Sequence, residues 1–84
     1  MKLKKMSKNK LITDIINEIK IKVELSKTGL YACELSSMIL IYNPSQNILY
    51  KLQGFKTLAI NDENISEIEL MAIHMEVKHK YENL

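Results

Sequence analysis

The stretch that most constrains this chain is residues 61–84, which hold more apolar side chains than one helix on a small domain can bury. Asn64-Ile65-Ser66-Glu67 and Ser66-Glu67-Ile68-Glu69 both have the form of a capping box, so a helix should start near residues 62–66. Glu63, Glu67 and Glu69 suit the positive end of its dipole, and Lys78, His79 and Lys80 suit the negative end. At about 100° per residue, Ile65, Ile68, Met71, Ala72 and Met75 fall on one side. Leu70, Ile73, Val77 and Tyr81, with Leu84 in line, fall on another. Glu69, Glu76 and Lys80 divide the two stripes along one flank, and Glu67, His74 and Lys78 along the other. A surface helix normally carries one such stripe. The expectation is that one stripe closes the core while Leu70, Ile73, Val77 and Tyr81 meet a protein partner or a second copy of the chain. The competing reading is a single broad buried face with polar edges.

A chain of 84 residues makes one domain, near the size at which a single core is only marginally stabilising, and self-association as a homodimer would help it. Its hydrophobic fraction of 46% and charged fraction of 26% belong to a folded protein rather than a disordered one. The longest apolar run, residues 38–42, has five residues, too few to span a bilayer. Residues 1–10 are charged like the start of a signal peptide but lack an apolar region and cleavage site behind it, so a cytoplasmic location and no membrane are expected.

Charge is distributed unevenly. Five of the twelve lysines, Lys2, Lys4, Lys5, Lys8 and Lys10, lie in the first ten residues, which contain no acid. From Leu11 onward seven lysines face ten acids, a net charge of −3. Residues 1–9 read as a flexible basic arm and residues 10–84 as a single acidic α+β domain. Every cation is Lys and none is Arg, and Ile and Asn are abundant. A+T-rich genomes, including those of many phages and mobile elements, produce that bias.

Past the arm, Leu11, Ile12, Ile15, Ile16 and Ile19 gather on one side of a helix that Ser7 or Asn9 could cap. Ile21, Val23 and Leu25 then alternate with polar residues, which predicts a strand in an antiparallel sheet, and Gly29 follows in a turn. Residues 30–37 fit either a strand or a short helix. Met38-Ile39-Leu40-Ile41-Tyr42 is apolar on both faces, the pattern of a central strand covered on two sides. Asn43-Pro44-Ser45-Gln46-Asn47 predicts a turn. A strand follows with Ile48, Tyr50 and Leu52 alternating with Leu49, Lys51 and Gln53; after Gly54, residues 55–60 form a fourth strand or an extended connection. The fold class is therefore α+β: an N-terminal helix, a three- to four-stranded antiparallel sheet and a C-terminal helix.

Little here carries chemistry. Two glycines, Gly29 and Gly54, cannot build a phosphate loop or a dinucleotide fingerprint. Cys33 with His74 or His79 can be written as a thiol and its base, but Cys33 lies in an apolar alternation where cysteine serves as a buried hydrophobe. His74 and His79 diverge by about 140° around a helix and cannot share a metal. No metal, no cofactor, no small-molecule substrate and no catalytic residue are expected. The arm lysines support nucleic-acid binding as the alternative function, with a strong salt dependence.

Two resemblances bear on function. Helix, three strands, helix resembles the double-stranded RNA-binding domain, a family whose second helix begins with a phosphate-gripping lysine cluster. The matching stretch here, Asn61-Asp62-Glu63-Asn64-Ile65-Ser66-Glu67, is acidic, so that function does not carry over. Residues 11–25, a helix running into Lys22-Val23-Glu24-Leu25, resemble the opening of several small phage proteins that block bacterial defence, some anti-CRISPR inhibitors among them. That resemblance covers element order and implies a binding inhibitor of an unspecified target. The expectation is a non-enzymatic protein that binds and regulates or inhibits a macromolecular partner.

Overall fold

A computed structural model describes residues 7–80 and 82. In chain order the elements are α1 (Lys8–Lys22), β1 (Tyr31–Glu34), β2 (Ile39–Asn43), β3 (Ile48–Gln53), β4 (Lys56–Ala59) and α2 (Glu67–Lys80). The four strands pair antiparallel in the order β1-β2-β3-β4, each with its neighbour in sequence. This is the α+β class that the sequence implies.

Ser7 caps α1, its hydroxyl accepting from the backbone N–H groups of Asn9 at 3.2 Å and Lys10 at 3.4 Å. The helix thus begins inside the stretch expected to be a flexible arm, and Lys8 and Lys10 are helical. Leu11, Ile15 and Ile19, spaced four apart, are buried on one face. The strand expected over Ile21, Val23 and Leu25 does not form. The helix continues to Lys22, held by the Glu18–Lys22 ion pair at 3.0 Å, and the Lys22 ammonium donates to the Lys78 carbonyl at 3.3 Å on α2. Three alternating residues are a short signal, and the established helix runs through the first of them, leaving Ile21 exposed, before ending with Val23 as its C-cap. The strand that carried the resemblance to phage anti-defence proteins is therefore absent; helix, antiparallel sheet and helix is the part of that order that stands.

Residues 31–34 are strand rather than helix. Ser36 and Ser37 sit in the turn that follows, closed by the Leu35 N–H donating to the Met38 carbonyl at 2.8 Å. The predicted turn after β2 is stabilised by the Asn43 carboxamide, which accepts from the Ser45 N–H at 3.1 Å and the Ser45 hydroxyl at 2.8 Å. Between β3 and β4 the chain reverses over Gly54 and Phe55, where Gly54 has φ +65°, a conformation that glycine adopts without steric cost.

Successive residues of a strand point to opposite faces, and the registers align two distinct faces here. Cys33, Leu40, Tyr42 and Leu49 face the helices and are buried with Leu11, Ile15, Ile19, Leu70, Ile73 and Val77 in one core. Both helices lie on this side: Lys20 sits over the Tyr42 ring at 6.0 Å, and Glu69 of α2 pairs with Lys51 of β3 at 2.8 Å. The opposite face carries Ile39, Ile41, Ile48, Tyr50 and Leu52, each half-buried by its neighbours in the sheet. No described element covers it, so β2 is apolar on both faces yet packed on only one.

Candidate interaction surfaces

Ser66 is the residue that caps α2: its hydroxyl accepts from the Glu69 N–H at 3.0 Å, as the second of the two capping patterns implies. From there the helix has two apolar sides, but their roles are the reverse of those expected. Leu70, Ile73 and Val77 are 0%, 3% and 0% exposed, and they close the core against α1 and the sheet. Their side chains are inside the fold and cannot be a contact stripe. Tyr81, the fourth residue of that stripe, lies outside the described residues. Of the other stripe, Ile65 is buried at the foot of the helix, whereas Ile68, Met71 and Met75 are 80%, 47% and 58% exposed. Ala72 is exposed between them.

The reason is visible in what flanks the helix. Glu69 reaches Lys51 on the sheet, and Glu76 accepts from the Ser36 N–H at 2.6 Å in the β1–β2 turn. These two carboxylates fix the edge of α2 that meets the sheet, and Leu70, Ile73 and Val77 follow inward from that edge. Sequence periodicity separated the stripes but held nothing to say which faced in. Residue type was the usable signal: the outward row holds both methionines of the helix, and the inward one is Leu, Ile and Val, which rank above Met in full burial.

Of the lysines proposed for nucleic acid, Lys8 and Lys10 are described, both in the first turn of α1. Lys2, Lys4 and Lys5 lie outside the described residues. The Lys8 ammonium donates to the Asp62 carbonyl at 3.2 Å, and Lys10 pairs with Asp14 at 3.3 Å. Those contacts tie the start of α1 to its own second turn and to the loop before α2.

Cys33 is fully buried on the helix-facing side of β1, His74 is half-buried on α2 and His79 is exposed. Among the described residues no group of three or more His, Cys, Asp or Glu is placed to hold a metal ion, and no helix is long and apolar enough to cross a membrane. One open concavity is lined by Glu34, Ser36, Glu76, His79 and Lys80, and another by Lys51, Gln53, Lys56 and Leu58. In the first, the Ser36 N–H and then its hydroxyl hold the Glu76 carboxyl below its ordinary range, with Lys80 adding to the effect and partial burial opposing it. That geometry stabilises a carboxylate as an acceptor for the turn, a structural role.

What the arrangement presents to solvent is thus apolar surface on both layers: the outward row of α2 and the uncovered face of the sheet. Phe55 adds a fully exposed ring at the β3–β4 turn. Compared with known proteins, the chain matches no family model, no curated protein and no solved structure.

Proposed function

We propose that this is a non-enzymatic interaction protein that occupies a macromolecular protein partner and so regulates or inhibits it, with the outward row of α2 as its contact. One observation carries the reading: Ile68, Met71 and Met75 stand exposed in a row on a helix whose opposite side is locked into the core. A helix anchored in this way presents its row rigidly, and an apolar row at helical spacing is what a hydrophobic groove on a partner recognises. Methionine adapts its shape to such a groove. The lysine-only cation set fits an A+T-rich genome, such as those of many phages and mobile elements, and leaves the partner unspecified.

A photo-crosslinking residue placed at Met71 tests this, with the same residue at the exposed Thr13 of α1 as the control. Position 71 is expected to capture one defined protein that position 13 does not, and Met75→Glu is expected to abolish the capture. The purified partner should then change its activity when the protein is added. Identical adducts from both positions would refute the assignment.

A further inference from the structure

The sheet is apolar on the side away from its own core as well as on the core side, and β3 turns its more apolar side outward. On β3, Leu49, Lys51 and Gln53 face the helices while Ile48, Tyr50 and Leu52 face outward, the reverse of what a sheet with one wet face requires. The row Ala32, Ile41, Tyr50 and Ala59 crosses all four strands in register, and Ile39 pairs with Leu52 beside it. We propose that this outer face is a self-association surface on which two copies of the chain pack sheet to sheet, with their helices outward.

Three features point to a second copy as the occupant. The face is neutral apart from Glu34 on β1, since Lys51 and Lys56 of β3 and β4 belong to the helix side. It therefore offers no complementary charge to nucleic acid or to a charged peptide. In a two-fold contact the same patch meets itself, so an uncharged centre avoids setting like charge against like. The area is sufficient: four strands at about 4.8 Å and five residues at about 3.4 Å span roughly 19 by 17 Å. With side-chain relief that is on the order of 500 Å² per copy and 1,000 Å² for the pair, about the minimum for a biological interface and in the range of weak, concentration-dependent ones. Finally, the Tyr50 hydroxyl already donates to the Gln46 carboxamide at 3.0 Å, so its ring can be covered without leaving the hydroxyl unpaired. The surface lies on the layer opposite the α2 row, so a dimer built on it would display two such rows at once.

Light scattering on the full chain across a concentration series, from about 10 to 200 µM, tests the proposal. Wild type is expected to reach twice the mass of the 9.8 kDa chain. Ile41→Lys is expected to return it to the mass of one chain with an unchanged far-UV circular dichroism spectrum, and Met71→Glu to leave the doubled mass intact. Should Ile41→Lys fail to fold, Ile48→Lys, at the turn end of β3, takes its place in the comparison. A single-chain mass for wild type throughout, or a doubled mass in the folded lysine variants, would overturn the proposal. So would loss of the dimer in Met71→Glu alone. Capture at Met71 is read separately, so either reading can fail without the other.

Discussion

Ile73 and Met75 stand two residues apart on α2, and their truncation to alanine should have very different costs. Ile73 is 3% exposed. Removing three of its carbons forfeits about 2.4 kcal/mol of transfer energy. The vacated volume, about 75 Å³ at roughly 24 cal/mol per Å³, adds up to about 1.8 kcal/mol if the site does not collapse. Ile73→Ala is therefore expected to cost about 2.5 to 4 kcal/mol, out of the roughly 4 to 13 kcal/mol that a chain of this length holds. For a domain of this size that corresponds to a fall in Tm of about 10 to 30 °C. Met75, 58% exposed, should change stability by no more than about 0.5 kcal/mol when truncated. Thermal unfolding by far-UV circular dichroism measures both, at one fixed protein concentration because self-association would make Tm depend on it. Equal effects, or a larger one at Met75, would mean that α2 is rotated relative to the orientation described and that the proposed contact row is core.

Two further outcomes follow from the core and the β1–β2 turn. Cys33 should resist a water-soluble thiol reagent in the native protein and react at the rate of unfolding, because its side chain is fully buried; rapid complete labelling without denaturant would contradict this. Glu76, whose folded pKa is depressed below its usual 4.5, contributes stability that is present above that value and is lost as pH falls through the folded pKa. Wild type should therefore be more stable than Glu76→Gln at neutral pH, with the gap closing below pH 4.5, and a gap that does not change with pH would refute the assignment.

Much of the fold was legible in the sequence where local chemistry and long-range packing agree. Leu11, Ile15 and Ile19 specify the buried face of α1 by spacing alone, and Asn43 to Asn47 and Gly54 mark turns because few other residues suit those backbone conformations. Where the pattern was short or symmetric, legibility failed. Ile21, Val23 and Leu25 alternate, yet helix propagation from Ile19 and docking of Lys22 on α2 extend α1 as far as Lys22. In β3 the apolar side, Ile48, Tyr50 and Leu52, was no guide to the core, because register with β2 places Leu49 beside the buried Tyr42. For α2 the two stripes were correctly separated but their direction is set by Lys51 and Ser36, partners far away in sequence. In β3 and α2 alike, a pattern of apolar residues reports what is to be covered and does not say by what.

The sheet is a meander of neighbouring hairpins, and the element that seals it is the last to be made. During synthesis α1 and all four strands emerge before Leu70, Ile73 and Val77 exist to cover Cys33, Leu40 and Leu49. In that interval α1 alone covers the core side of the sheet, leaving apolar surface exposed, the condition in which partly made chains aggregate. Hairpins close quickly, but the docking of α1 onto α2 joins segments more than fifty residues apart, as in the bond from Lys22 to Lys78. Completion of the core is thus timed by the appearance of α2, and a ribosome stalled between β4 and α2 would hold a sheet with α1 as the one native cover on its core face.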